Sequence, residues 1–220
     1  LEGIIGSMSL LDPIYDSPAM PRLARELDQA VREETRRREV FRDWLQDDVK
    51  AEFINGERIV HSPARLAHTD AMFRIAKILD AHVLRRSLGK IGIEKCLVGM
   101  TRNDYEPDVC WWGPKTAKSF TGDTMVFPAP DLVVEVLSPS TERRDRGVKF
   151  EDYAAHGVAE YWIVDADARV VEQYILRGEV FAELAKWGAD SVLRSAAVGG
   201  IEVPVAAVFD DAAQAAALER

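Results

Sequence analysis

The chain has 220 residues, of which 47% are hydrophobic and 30% charged, and its formal net charge at pH 7 is -9. This length predicts one globular domain with room for an appended segment. The apolar runs fall short of the roughly 18 to 20 residues of a membrane span, and the first residues lack a secretory-signal pattern, so we expect a cytoplasmic protein with no membrane partner. The acidic charge argues against broad electrostatic affinity for nucleic acid, so a phosphate-containing substrate would need a local basic surface.

The N-terminal 50 residues divide into two predicted segments. The first methionine is Met8, and we interpret residues 1–17 as a tag remnant followed by a flexible N-terminus. Residues 18–50 are dense in Glu, Arg, Asp and Gln and place apolar residues at helical spacing, which predicts a helical extension made of one long helix or two shorter ones. Its charged middle, EETRRREV, forms either a solvated helix face with ion pairs within the helix or an arginine cluster that binds phosphate.

The rest of the chain predicts one domain over residues 51–210 and a C-terminal tail over residues 211–220. In chain order, the predicted elements are a hairpin around Asn55-Gly56, a helix from Arg65 to about Ser87, strands in GIEKCLVGM and EPDVCWW, a polar loop from Gly113 to Ala129, a strand in PDLVVEVLSP, a helix from about Glu142 to His156, strands in YWIVD, RVVEQYIL and VFAELAKW, and a short helix after Pro204. This order predicts a mixed α/β (α+β) fold in which helices pack against a sheet, with an N-terminal hairpin and a C-terminal β-meander.

Two of the predicted strands carry an acidic residue where packing favours an apolar one. Glu135 lies within PDLVVEVLSP and Asp108 lies within EPDVCWW. A buried, ionised carboxylate is costly unless it is paired, hydrogen-bonded or bound to a metal. If the two strands are neighbours in the sheet, the acids stand side by side with Cβ atoms about 5 Å apart, and both can bind one divalent cation. Oxygen ligands favour Mg²⁺ or Mn²⁺ over zinc, and such an ion supports hydrolysis of phosphodiester bonds.

Other residues near these strands have competing interpretations. Asp131 also follows a proline, but it lies four residues before Glu135, which is roughly 13 Å along a strand. The two acids therefore cannot share one ion, and we interpret Asp131 as a cap at the start of the strand. Lys149, on the helix after Glu135, is our candidate for a cation near the scissile phosphate; the alternative is an ion pair within the helix, with Asp145 or Asp152. Three aromatic residues are assigned to the core rather than to base stacking: Tyr153, Tyr161 and Trp162.

These residues carry a resemblance to a known family. Pro107-Asp108, Glu135 in EVLSPST, and the run RDRGVKFEDYAAHGVAEYWIVD are similar to the Uma-two-type branch of the PD-(D/E)XK restriction-endonuclease-like superfamily. The resemblance covers about Glu52 to Phe209 and leaves the helical stretch before about residue 36 outside. It implies a restriction-endonuclease-like central mixed β-sheet flanked by helices, a metal-dependent nuclease-type active site and a homodimer.

Carried over by position, the resemblance assigns the main site residues. Asp108 is the acid of the PD element and Glu135 the acid of the (D/E)XK element, and both are the expected metal ligands. The residue two after Glu135 is Leu137 rather than lysine, which departs from the superfamily pattern. The branch places its lysine on the following helix, at Lys149, where it would assist at the phosphate or at the attacking water.

Two further residues of the resemblance would assist. Glu52, in the early hairpin, is either an additional metal ligand or a group that supports one; the alternative is that it satisfies a backbone amide. His68, at the start of the following helix, contacts the phosphate or positions a water; the alternative is that it caps or packs its helix.

Two functions remain open from the sequence. The first is a metal-dependent nuclease, an endodeoxyribonuclease with DNA as the expected substrate, in which Asp108 and Glu135 hold Mg²⁺ or Mn²⁺. The second is a non-catalytic binding or assembly module that keeps the nuclease fold, which Leu137 and the acidic net charge favour. In either case we expect a homodimer and predict that the N-terminal helical extension reaches a second subunit.

Overall fold

The structure of the chain is a computed structural model that describes residues 12–45 and 49–219. The predicted tag remnant at the start of the chain lies outside these residues. The chain divides into two compact units at residue 45. No helix within the described ranges is long and apolar enough to cross a membrane.

The N-terminal unit is helical. It contains α1 (Asp12–Tyr15) and α2 (Met20–Trp44), and α2 runs without interruption for 25 residues. Its charged side chains pair along the helix, as with Arg36 and Glu33 at 2.7 Å. The helical extension is therefore one long helix, and its charged middle contains an ion pair within the helix, as the first of the two interpretations predicts.

The second unit contains the remaining helices and all the strands of the described chain. The helices are α3 (Leu66–Arg86), α4 (Pro114–Ala117), α5 (Glu142–Asp145), α6 (Val148–Ala155), α7 (Ala206–Phe209) and α8 (Asp211–Leu218). The strands are β1 (Ala51–Ile54), β2 (Glu57–Val60), β3 (Lys90–Ile93), β4 (Leu97–Gly99), β5 (Asp104–Tyr105), β6 (Val109–Trp112), β7 (Val126–Phe127), β8 (Leu132–Val136), β9 (Glu160–Asp165), β10 (Val170–Arg177), β11 (Val180–Gly188), β12 (Val192–Ser195) and β13 (Ile201–Pro204).

These strands form two larger sheets and a hairpin. The six-stranded sheet has the order β11-β10-β9-β8-β6-β3, in which β8 and β9 are parallel and the other neighbours antiparallel. The five-stranded sheet has the order β2-β1-β5-β4-β7 and includes the predicted hairpin, and β12 pairs with β13. The predicted mixed sheet flanked by helices is confirmed, and β9 to β11 are the predicted meander.

The segment GIEKCLVGM forms two strands in different sheets rather than one. Glu94 adopts a left-handed φ of 49°, and the chain turns there as the Cys96 amide donates to the Glu94 carbonyl at 2.9 Å. Strand β3 then joins the six-stranded sheet and β4 the five-stranded sheet. The predicted loop from Gly113 to Ala129 also gains structure, because it contains α4 and β7.

The helix predicted from about Glu142 to His156 is interrupted. Gly147 has φ of -119° and ψ of -107°, outside the helical region, and it separates α5 from α6. A Cβ atom at this position would lie 2.8 Å from the carbonyl oxygen of Arg143, so the close backbone approach favours glycine.

The C-terminal region is also more ordered than predicted. The hairpin of β12 and β13 was not predicted, and residues 211–218, predicted as part of a tail, form α8. Asp210 caps this helix, because its side chain accepts a hydrogen bond from the Ala213 amide at 2.9 Å.

The central strand β8 is buried on both faces. Leu132 and Val134 pack in the cluster that contains α3, while Val133 packs in the cluster that contains Tyr153 of α6 and Tyr161 of β9. Tyr153 and Tyr161 are fully buried, and so is Trp162 at 1% exposure, so the assignment of these aromatic residues to the core is confirmed. Glu135 lies on the same face of β8 as Val133, beneath α6 and the five-stranded sheet.

Candidate active site

Asp108 and Glu135 lie side by side. Strands β6 and β8 pair antiparallel with Val109 opposite Val134, so the preceding Asp108 is opposite Glu135. The Asp108 amide lies 3.4 Å from Glu135 Oε2, and the Val136 amide donates to Asp108 Oδ2 at 2.9 Å. Both acidic residues are buried, at 4% and 3% exposure. The neighbouring strands and paired acids that the sequence predicts are therefore present.

Lys149 lies at the centre of three carboxylates. Its Nζ is 2.8 Å from Glu52 Oε1, 3.0 Å from Glu135 Oε1 and 3.2 Å from Asp145 Oδ1. The break at Gly147 begins the short helix that carries this lysine, and only 2% of its side chain is exposed. The structure thus contains the ion pair with Asp145 that the alternative interpretation expected, and it also places Lys149 against Glu135 and Glu52.

The charges of this cluster are strongly coupled. Burial raises the pKa of Glu52, but Lys149 and His61 outweigh it and lower the pKa to about 2. Burial raises the pKa of Glu135 to about 8, and the nearby carboxylates, including Asp145, act in the same direction against Lys149. Burial also raises the pKa of Asp145. Burial and the neighbouring carboxylates therefore disfavour the ionised form of Glu135, and Lys149 opposes them.

Glu52 also connects the two sheets. Its Oε1 accepts a hydrogen bond from the Glu106 amide at 3.0 Å, and its Oε2 lies 3.1 Å from His61 Nε2. The backbone-amide role considered for Glu52 therefore coexists with its contact to Lys149. Glu106 in turn accepts from the Ala51 amide at 2.8 Å, and burial raises its pKa to about 7. These bonds fix β1 against the segment that leads into β6.

Asp108 has two basic neighbours, Lys50 and His68. Lys50 Nζ donates to Asp108 Oδ1 at 2.9 Å, and His68 Nε2 lies 3.3 Å from Oδ2. Burial raises the pKa of Asp108, but His68 and Lys50 outweigh it and hold the pKa well below its usual range. Burial lowers the pKa of His68, but Asp108 outweighs it and raises the pKa. The His68 Nδ1 atom is buried, and the described part of the chain offers it no hydrogen-bond partner.

Sequence reasoning missed Lys50, His61, Glu106 and Asp145 as site residues. Lys50 was assigned to the end of the helical extension, but α2 ends at Trp44 and Lys50 directly precedes β1. His61 follows β2 in a segment with no periodic pattern. Glu106 was visible in EPD, two residues before Asp108, and Asp145 was considered only as a partner of Lys149.

A cleft of about 800 Å³ opens over these residues. Its floor contains the buried residues Asp108, Glu135 and Lys149. One lip consists of residues 61–65, 67 and 68, and the other of residues 138–142, 144 and 145. A volume of this size is typical of a small-molecule or substrate site.

Two other sequence expectations concern the strand of Glu135. Leu137 lines the cleft and packs against the cluster that contains Tyr153, so this position supplies no charge. Asp131 lies at the opposite end of β8, where its Oδ2 accepts from the Gly113 amide at 2.7 Å. Asp131 is therefore a capping residue, as predicted. Asp152, the other candidate partner of Lys149, instead accepts a hydrogen bond from the Tyr105 hydroxyl at 2.7 Å.

The oxygen donors of the acid pair are of the type that a hard divalent cation prefers. Within residues 12–45 and 49–219, no group of three or more His, Cys, Asp or Glu side chains has an arrangement that could hold a metal ion. Lysines and His68 contact the carboxylate oxygens of Asp108 and Glu135. Buried carboxylates outnumber the lysines that contact them, so added positive charge would be favourable here: Glu52, Asp108, Glu135 and Asp145 against Lys50 and Lys149. Carboxylate oxygens suit Mg²⁺ and Mn²⁺.

Comparison with known proteins agrees with this fold. The chain is similar to a solved structure described as "a putative nuclease belonging to DUF820" from Anabaena variabilis ATCC 29413, with a TM-score of 0.63 and 15% sequence identity, over 72% of this chain and 89% of that chain. At this identity the likeness shows the fold, which is restriction-endonuclease-like. A search of curated proteins found no match.

A family described as "Uma2: Putative restriction endonuclease" matches residues 21–206. The match begins near the start of α2, so the helical stretch before residue 36 lies largely inside the family pattern, and its exclusion from the resemblance was wrong. With most of its length covered, the chain belongs to the Uma2 family of putative restriction endonucleases.

Proposed function

We propose that this protein is a metal-dependent nuclease that hydrolyses phosphodiester bonds, with DNA as its substrate. The observation that carries the proposal is the pair of buried acids, Asp108 and Glu135, on adjacent strands at the floor of a cleft. The likeness to a structure described as a putative nuclease and the membership of a family described as putative restriction endonucleases support the same reaction class.

The metal site would use the two acids. Asp108 and Glu135 would hold Mg²⁺ or Mn²⁺. Glu52 is linked to Glu135 by Lys149, whose Nζ contacts both carboxylates. When bound, such an ion supplies an activated water and neutralises charge on the phosphate. A bound cation would oppose the effect of burial on the pKa of Glu135 and would favour its ionised form.

The lysines would have different roles. Lys149 is 2% exposed and is surrounded by three carboxylates, so we assign it the positioning of Glu135 rather than direct contact with the phosphate. Lys50 is more exposed, at 22%, and lies on the cleft side of Asp108, so we assign to it the stabilisation of negative charge on the phosphate. His68 lines the cleft beside Asp108, and its buried Nδ1 is available to position a water or a phosphate oxygen.

Cleavage assays test this proposal. Single-stranded, double-stranded and branched DNA, and RNA, would be incubated with the protein in Mg²⁺, Mn²⁺ or EDTA. We expect metal-dependent cleavage that falls at least about 100-fold in Asp108→Asn and Glu135→Gln. Asp131→Asn is the matched control, because it changes an acid that also follows a proline but lies at the far end of the strand of Glu135, and it keeps an acceptor for the Gly113 amide. No cleavage of any substrate, or acid variants as active as wild type, would refute the proposal.

A non-catalytic binding or assembly module is the second candidate, favoured by the leucine at position 137 and by the ion pairs that occupy the acids. Calorimetry with Mn²⁺ separates the two. The nuclease predicts binding that Asp108→Asn and Glu135→Gln abolish, and the module predicts no binding that depends on these residues.

We also propose that the protein forms a homodimer, in keeping with the family resemblance. Light scattering on the protein in solution measures its mass. A mass near 24.6 kDa, the value of one chain, would refute the dimer.

A further inference from the structure

Arg144 is a cleft residue without an acidic partner. It lies in α5 on the lip of the cleft, and its buried Nε has no hydrogen-bond partner among the described residues. No carboxylate of that part of the chain forms an ion pair with its guanidinium, whereas the lysines at positions 50 and 149 both contact acids. An arginine stays charged at any physiological pH, and a buried N–H without an acceptor is unfavourable. The guanidinium is therefore ready to accept an external anion.

Three hydroxyl groups share the lip with Arg144. Ser138 Oγ lies 3.1 Å from Ser140 Oγ and 3.0 Å from Thr141 Oγ1, and all three residues line the cleft. Hydroxyl groups can rotate to donate to an anion, so they add neutral donors beside the guanidinium. A phosphate oxygen is an acceptor that suits both kinds of donor.

The position of Arg144 separates this lip from the acid pair. Its neighbour Asp145 contacts Lys149, and Lys149 contacts Glu135. The side chain of Lys149 therefore lies between this lip and the Glu135 carboxylate. Glu142, the nearby acid of α5, is engaged by Arg146 at 3.0 Å. An anion on Arg144 would therefore lie beside the acid pair and not on it.

The acidic character of the cleft makes an unpaired cation important. Acidic side chains on the walls, such as Asp165 and Asp167, repel a polyanion. Arg65 on the opposite lip is 75% exposed and lies 4.0 Å from Asp167, so its charge is screened by solvent and partly balanced. Arg144 combines partial burial with an unbalanced charge.

We propose that Arg144, with the hydroxyl groups of Ser138, Ser140 and Thr141, binds a phosphate of the nucleic-acid strand next to the phosphate that is cleaved. This subsite rests on the proposed nuclease function and adds to it a group that holds the substrate strand in place. The planar guanidinium matches a phosphate through two parallel hydrogen bonds, which lysine cannot reproduce.

The test compares two neighbouring arginines. Binding of a labelled DNA oligonucleotide is measured by fluorescence anisotropy in Ca²⁺, which takes the same oxygen ligands. Arg144→Gln is expected to weaken binding by roughly 10- to 100-fold, as for loss of a charge-assisted contact. Arg143→Gln removes the same charge from an exposed residue of the same helix that lies outside the cleft lining, and it should change binding by less than about 3-fold. Circular dichroism of both variants confirms that they fold.

A second measurement locates the phosphate. Oligonucleotides that carry a neutral methylphosphonate at one position at a time are bound to wild type and to Arg144→Gln. Wild type should lose affinity at a phosphate beside the cleavage position, and Arg144→Gln should show no further loss at that one position. The subsite would be overturned if Arg143→Gln and Arg144→Gln weakened DNA binding equally, or if wild type and Arg144→Gln lost the same affinity at every methylphosphonate position. The nuclease function would still hold in that case if wild type cleaved DNA. Wild type that neither bound nor cleaved DNA would overturn both.

Discussion

Replacing Lys149 by methionine removes the cation around which three buried carboxylates are arranged. Glu52, Glu135 and Asp145 lie 2.8, 3.0 and 3.2 Å from its Nζ, and the side chain is 2% exposed. Methionine keeps most of the apolar volume, so the main loss is electrostatic. Removing one partner of a buried ion pair costs roughly 3 to 5 kcal/mol. We expect Lys149→Met to lower the free energy of unfolding by this amount at pH 8 in EDTA.

The size of this loss should depend on pH. In wild type, burial raises the pKa of Glu52, but Lys149 and His61 lower it to about 2, below its usual 4.5. The stabilisation from this group is therefore present above pH 4.5 and is lost as the pH falls toward 2. In Lys149→Met, burial is opposed only by His61 and by the hydrogen bond from the Glu106 amide, and we expect the Glu52 pKa to rise above 4.5. The variant then loses stability as the pH rises, so its deficit relative to wild type should be smaller at pH 5 than at pH 8.

Urea unfolding followed by tryptophan fluorescence at both pH values measures this deficit. Lys118→Met is the matched control, because Lys118 is an exposed lysine at the end of α4 and its loss should change stability by less than about 0.5 kcal/mol. A loss below about 1 kcal/mol at pH 8, or equal losses at pH 5 and pH 8, would contradict the role assigned to Lys149.

Three further predictions concern stability and activity. Gly89 has φ of 108°, and Gly89→Ala places a Cβ atom 2.0 Å from the backbone carbonyl oxygen of Trp112. This change should lower the unfolding free energy, measured in urea, by more than about 2 kcal/mol. Gly122→Ala is the control, because its Cβ atom meets nothing within 4 Å and the change should be nearly neutral. Hydrogen bonds from Arg146 lower the pKa of Glu172 to about 2. Glu172→Gln should therefore lower the unfolding free energy by about 1 to 3 kcal/mol at pH 7, and by progressively less as the pH falls from 4.5 toward 2. Equal losses at pH 7 and pH 3 would contradict this. Lys50→Met should lower kcat for DNA cleavage by about 100-fold, and unchanged turnover would remove Lys50 from the site.

The acid pair could be predicted because its signals are local. A β-branched run with one acid marks a buried strand, and the alternation of side chains fixes which neighbours share its face. Two such strands, with Asp108 and Glu135, predict adjacent carboxylates if the strands are neighbours, and the observed register of β6 and β8 supplies that condition by placing them opposite each other.

The rest of the site depends on contacts between distant parts of the chain. Lys50 is 58 residues from Asp108 in sequence, and no periodic pattern links them. The chain passes from one sheet to the other at Glu94, which has a positive φ. A glycine would have indicated such a turn in the sequence, and this position is a glutamate. The hairpin of β12 and β13 consists of two four-residue strands, too short for the alternation of side chains to identify.

The position of the lysine illustrates why spacing alone is a weak guide to such a site. A lysine two residues after Glu135 would approach the carboxylate along its own strand, about 6.6 Å away, and Leu137 occupies that position. In this chain, Gly147 ends α5 and allows α6 to cross the same face of β8, where Tyr153 also donates to Glu135 at 3.1 Å. Lys149 thus delivers an ammonium group to within 3.0 Å of the same oxygen from a different element. The chemistry requires a charge at a point in space, so a helix that covers the acid can supply it as well as the strand that carries the acid.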